Sequence, residues 1–150
     1  MAAHRRTLLA GLASSAALGG PAAAQGGEAP IVQPAGATPT TFLRRAFEMR
    51  DLALESGDQG FGAVVAREGV IVGQAPSRVV ANTDPTAHAE IEAIRDAARR
   101  LATRSLAGAV LYSSFRPCPM CEAAAYWAGI SRWVYGEGAT DGGPPRLPRG

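Results

Sequence analysis

Residues that hold metals or form cross-links are scarce in this sequence. It has two cysteines, Cys118 and Cys121, and two histidines, of which only His88 lies outside the extreme N-terminus. Three such side chains do not close a structural metal site, which normally takes four Cys or His ligands. Lysine is missing altogether: all fifteen basic residues are Arg, set against thirteen Asp and Glu. No internal repeat is present, and no apolar run is long enough to span a bilayer comfortably. What is there is a chain of 150 residues with 47% apolar content, which suits one domain with a buried core.

The scarce residues are gathered in two short stretches. Cys118 and Cys121 stand at i and i+3 in Pro117-Cys118-Pro119-Met120-Cys121, so on a helix their sulfurs face the same way. Pro119 falls where a first helical residue sits, with preset φ and no N–H to waste. Thiols at a helix start feel the positive end of the backbone dipole, which lowers their pKa and favours the thiolate. Together with His88, from Thr86-Ala87-His88-Ala89-Glu90, they offer three donors to a zinc ion. The fourth position is left to water, the mark of a catalytic rather than a structural zinc. Glu90 is then the carboxylate placed to take a proton from that water and return it to a leaving group. Residues two apart on a regular helix point almost oppositely, so His88 and Glu90 converge only if the metal sits off the helix start. Cys-x-x-Cys also marks redox pairs, but the thioredoxin-type aromatic and glycine are missing, and a redox reading leaves His88-Ala89-Glu90 unexplained.

The N-terminus differs in kind from the rest. Arg5-Arg6 precedes the apolar run Leu8 to Leu18, followed by Gly19-Gly20-Pro21 and the small residues Ala22 to Ala24. This three-part pattern is that of an export signal over residues 1–24, with the arginine pair resembling a twin-arginine signal. Export as a folded, metal-loaded protein would spare the bare thiols an oxidising compartment. The alternative is a misplaced start with an Ala/Gly-rich tail, leaving the protein in the cytoplasm. Without the leader thirteen Arg face thirteen acidic residues, so the basic excess expected of a nucleic-acid binder is missing. Residues 25–39, rich in Gly, Pro and Ala, read as a linker.

From Thr40 the apolar spacing Phe42, Leu43, Ala46, Phe47, Met49, Leu52, Ala53 predicts a helix, capped at Thr40 or Thr41 and closed by Gly57. Phe61 to Ala66 and Val70 to Gly73 predict a hairpin turning at Arg67-Glu68-Gly69. The helix after His88 carries Ile91, Ile94, Ala98 and Leu101 on one face, with Arg95, Asp96, Arg99 and Arg100 as its wet side. Ala109 to Ser113, Cys118 to Ala128 and Ile130 to Tyr135 read as strand, helix and strand, a parallel crossover unit. An α/β sheet with helices on both faces follows, with the metal at two helix starts. Tyr126 and Trp127 are assigned to the core.

The pairing of His-Ala-Glu with Pro-Cys-x-x-Cys is the zinc nucleobase deaminase signature. Asp84 to Glu90, Leu111-Tyr112-Ser113-Ser114, Pro117 to Cys121 and Tyr126-Trp127-Ala128 follow one another as in bacterial guanine deaminases. The chain is thus similar to the cytidine/deoxycytidylate deaminase-like superfamily over roughly Thr40 to Asp141. The related tRNA adenosine deaminases and fungal-type cytosine deaminases share the first and third motifs. The resemblance implies a three-layer α/β/α sandwich with a mixed sheet over residues 40–141, shortened at the C-terminus, with residues 142–150 as a Gly/Pro-rich tail. It implies zinc-dependent hydrolytic deamination of a small-molecule nucleobase, guanine first, with Phe61 packing the ring and Ser77 and Asp141 as polar contacts. Another base or nucleoside, tRNA adenosine included, is the alternative, as is a noncatalytic zinc-binding remnant. A homodimer is implied as well.

Several positions depart from the family pattern. Ser77 stands where relatives usually have Asn, Arg116 where they have Glu, and Gly60 where they have Pro. The usual fifth strand has no convincing run here, and the lid that closes a neighbouring site in guanine deaminases is not evident after Asp141.

Overall fold

The computed structural model describes residues 29–147, and the leader expectation lies outside them. Three helices and five strands follow in the order α1 (Pro39–Glu55), β1 (Gly62–Arg67), β2 (Val70–Pro76), α2 (Ala89–Arg100), β3 (Val110–Ser113), α3 (Pro119–Trp127), β4 (Arg132–Tyr135) and β5 (Thr140–Gly143). No helix among the described residues is long and apolar enough to cross a membrane.

The strands form one mixed sheet in the order β2-β1-β3-β4-β5. β1 and β2 make the expected hairpin, turning on Glu68 (φ 52°) and Gly69 (φ 77°). Two successive positive φ values match the right-handed twist of the flanking strands, which is why a glycine ends the turn. β3 and β4 run parallel around α3, the crossover read from the sequence. Alternation along β1 divides the core in two. Val64 and Ala66 meet Phe42, Leu43, Ala46 and Met49 of α1 on one face. Ala63 and Val65 meet Ala89, Ala93 and Ala97 of α2 and Ala125 of α3 on the other. The three layers are those of the cytidine deaminase-like sandwich.

Details differ from the sequence reading. Thr38, not Thr40 or Thr41, caps α1, with Pro39 at the first helical position; the Thr41 side chain completes a reciprocal pair with the Thr38 backbone. Within the stretch read as a linker, Gln33 is held against β2: its side-chain amide bonds both the carbonyl and the N–H of Ile71, each at 2.8 Å. Asp96 is buried rather than wet, because its carboxylate accepts from the Gln74 N–H at 2.9 Å and from Arg100 at 2.9 Å. Tyr126 and Trp127 are not core: they are 45% and 75% exposed, packed edge-on against each other. A helix as short as α3 turns only Cys121 and Ala125 fully inward, which leaves its last turn at the surface.

A fifth strand exists after all. Thr140–Gly143 pairs antiparallel with β4 despite the composition Thr-Asp-Gly-Gly. Gly142 lies flat on the Trp133 indole, where a Cβ would come within 2.6 Å of the ring. Glycine lets backbone rather than side chain cover the tryptophan, and this erases the apolar alternation by which strands are recognised.

Candidate active site

Two helix starts point their first residues at one spot. His88 is the N-cap of α2 with extended backbone (φ −62°, ψ 151°). Cys118 is the N-cap of α3, also extended (φ −74°, ψ 168°), with Pro119 following it into the helix. Because His88 is still outside the helix and Glu90 already inside, the usual opposition of residues two apart is lifted. Cys121, one turn further on, is fully buried.

The donor atoms form a near-equilateral triangle. His88 Nδ1 stands 3.7 Å from Cys118 Sγ and 3.6 Å from Cys121 Sγ, and the sulfurs are 3.7 Å apart. Ligands at about 2.0–2.3 Å from one tetrahedral zinc lie roughly 3.6–3.8 Å from one another. The residues therefore fit zinc, with three protein ligands and one corner left over. Both cysteines are free, and their separation is far beyond a disulfide bond of about 2.05 Å.

The surroundings of Cys121 act against the depressed thiol expected from its place near a helix start. Burial, then the nearby Glu90 and Cys118, push the Cys121 thiol well up. A cation held between the two sulfurs favours their ionised form. Stripping the metal with a chelator is thus expected to leave two thiols that a colorimetric thiol reagent counts under unfolding conditions. A count near zero in chelated, unreduced protein would mean a disulfide and sink the metal assignment.

Glu90 is only 4% exposed. One carboxylate oxygen accepts from the buried Ser113 hydroxyl at 2.7 Å, and the other lies 3.4 Å from Cys121 Sγ. Ser113, at the end of β3, thus aims Glu90 at the cluster. Sequence reasoning quoted Ser113 within a motif and gave it no task; its only signal was a hydroxyl ending an apolar strand.

The remaining predicted residues are placed unevenly. Phe61 is 38% exposed, its ring 6.2 Å from that of Phe115, which is 64% exposed. Phe115 was not singled out in the sequence. Its backbone N–H reaches Ser113 Oγ at 3.4 Å, so the Phe115 backbone stands beside the Ser113–Glu90 contact. Ser77 is buried, and its hydroxyl donates to Asp58 at 2.8 Å. Asp141 lies on β5, where its carboxylate takes the Arg132 guanidinium and the Gly143 N–H; the structure does not bring it to the triangle. Arg116 is exposed, two residues ahead of Cys118.

Known proteins are similar to this chain in sequence and fold. The guanine deaminase of Bacillus subtilis is 41% identical over 102 residues, covering 67% of this chain and 65% of that protein. Its crystal structure superposes with a TM-score of 0.61, covering 63% of this chain and 61% of that one. The tRNA-specific adenosine deaminase of Aquifex aeolicus is 39% identical over 94 residues, 63% of this chain and 62% of that one. A guanine deaminase structure from Nitrosomonas europaea is 28% identical, with a TM-score of 0.62, covering 66% of this chain and 58% of that one. The chain therefore spans less than two thirds of the length of each of these relatives. The family model described as the cytidine and deoxycytidylate deaminase zinc-binding region matches residues 37–137, well over half of the chain. With His88, Cys118, Cys121 and Glu90 all inside the matched region, the chain belongs to that family of zinc-binding deaminase domains.

Proposed function

We propose that the protein catalyses hydrolytic deamination of a free nucleobase, with guanine as the first candidate. The observation that carries this reading is a buried carboxylate, Glu90, with one oxygen fixed by Ser113 and the other 3.4 Å from a sulfur of the zinc-sized triangle. A zinc ion held by His88, Cys118 and Cys121 supplies, when bound, the lowered water pKa that permits nucleophilic attack at neutral pH. Glu90 takes the proton that the attacking water sheds and delivers it to the amino nitrogen. A carbon–oxygen bond forms, the carbon–nitrogen bond breaks, and ammonia leaves. Phe61 and Phe115 provide apolar faces against which a flat ring packs.

Guanine comes first because two guanine deaminases are among the relatives and because thirteen Arg against thirteen acidic residues beyond the leader offer no basic excess for RNA. A tRNA adenosine substrate is the second reading, favoured by the 39% identity to the Aquifex protein. Asp141, bound by Arg132, is not retained as a substrate contact in this proposal. Export through the N-terminal segment and pairing of two copies belong to the same proposal, resting on the Arg5-Arg6 pattern and on the family resemblance. An ammonia-release assay of the zinc-loaded protein across free bases, nucleosides and a tRNA anticodon stem–loop tests the substrate. Release from guanine with none from the stem–loop is expected. The reverse order overturns the free-base reading, and no release at stoichiometric zinc turns the protein into a noncatalytic zinc binder.

A further inference from the structure

One buried carboxylate has no task in the chemistry above. Asp58, in the turn between α1 and β1, is 8% exposed and accepts four hydrogen bonds. One oxygen takes the Ser77 hydroxyl at 2.8 Å and the Gln59 N–H at 2.8 Å; the other takes the N–H groups of Val80 and Ala81 at 3.0 and 2.9 Å. Burial pushes this carboxyl up, but the hydrogen bonds from Ala81, Ser77, Gln59 and Val80 outweigh it and hold the group below its ordinary value. At neutral pH it is an acceptor only.

What those bonds gather is the border of the site. The Ser77 N–H donates to the Phe61 carbonyl at 2.9 Å, and the Arg78 N–H donates to the carbonyl of Ala87, the neighbour of His88, at 3.0 Å. Asp58 thus ties the loop leading to His88 to the strand entry carrying Phe61. Ser77 spends its only proton on a carboxylate that has none to return, so it has no donor left for a substrate. His88 is also held from its other side, where its carbonyl accepts the Glu92 N–H of α2 at 2.9 Å.

We propose that Asp58 is a positioning residue for substrate: through Ser77 and the Val80–Ala81 backbone it holds the Phe61 rim in place, and Ser77 acts through Asp58 rather than on the base. This rests on the reading that Phe61 packs a nucleobase. The loss falls on substrate affinity and spares zinc, because the His88 and Cys118 carbonyls are held by the first turns of α2 and α3, at 2.9 Å from the Glu92 and Glu122 N–H groups, and Asp58 bonds to neither helix.

The test uses the full, zinc-loaded chain and 8-azaguanine, a guanine analogue, as the calorimetric probe, so that turnover is not needed. Asp58→Ala is expected to weaken binding about tenfold, as loss of a buried acceptor shared by several donors does, with one zinc per chain retained. Asp58→Asn keeps an oxygen for the Val80 and Ala81 amides and lets the Ser77 hydroxyl accept instead, losing only the bond from the exposed-side Gln59 N–H; it is expected to restore affinity to within about threefold. Ser77→Ala weakens binding by less than Asp58→Ala, and the double variant binds no worse than Asp58→Ala, since the two residues act as one unit. Additive weakening, or affinity falling only in step with zinc, overturns the proposal. If the unmodified protein binds no 8-azaguanine, the nucleobase reading fails separately. Amide exchange at Val80 and Ala81 then decides: protection lost in Asp58→Ala and kept in Asp58→Asn at unchanged zinc supports the tie, and unprotected amides in the parent chain refute it.

Discussion

Glu90→Gln is expected to keep one zinc per chain and to lower kcat for the deaminated base by about 10²–10⁴-fold, the usual contribution of a positioned proton carrier. Glutamine has the size of the native side chain, and its carbonyl oxygen can still accept from Ser113, as Glu90 does at 2.7 Å. What it lacks is an oxygen able to take a proton on the side facing Cys121 Sγ. KM is expected to move little, because the Phe61–Phe115 pair proposed to pack the substrate ring is untouched. Zinc content by atomic absorption, read beside steady-state kinetics, separates the outcomes. Near-native kcat would remove Glu90 from the proton path, and a loss of activity matched by a loss of zinc would make it a structural support instead.

Gly73→Ala is expected to be a strongly damaging single methyl, because it meets backbone. The added Cβ would lie 2.5 Å from the Ala93 carbonyl oxygen, 2.5 Å from the Ala97 N–H nitrogen and 2.6 Å from the Ala97 Cβ. Two of these are backbone atoms of α2 that cannot rotate away, so the helix must lift from β2. The cost lies at or above the top of the roughly 1–3 kcal/mol typical of overpacking, a large share of a domain stability of about 5–15 kcal/mol. Urea unfolding would show a lowered midpoint. Since α2 also carries His88 at its start, zinc loading is expected to drop with it. A midpoint within about 0.5 kcal/mol of the parent would mean that α2 is not seated on β2 as described.

The metal cluster could be read in advance because its parts carry local signals. Cys118 and Cys121 share a helical face whatever the fold, Pro119 announces a helix start, and His88 and Glu90 had no other partners to serve. The hairpin and the crossover were legible for a similar reason, since short β-branched runs and Gly69 mark them within a few residues. What stayed hidden depends on distant atoms. Ser113 matters only because β3 ends beside α2, Phe115 only because Phe61 faces it, and Asp96 is buried only because Gln74 lends it an amide. β5 was invisible because Gly142 earns its place by what it omits. Trp127 is exposed because it is the last residue of α3, a helix that turns only Cys121 and Ala125 fully inward.

The contact made by Gln33 bears on how the molecule meets other chains. An outermost strand ordinarily offers a row of unpaired amides, a template on which a stray peptide can add itself. Here Ile71 is already matched by a side-chain amide imitating a neighbouring strand, and the next outward N–H, at Gln74, is taken by Asp96. The β2 border is finished off at both points, and sheet-to-sheet polymerisation from that flank has no free rungs there on which to begin.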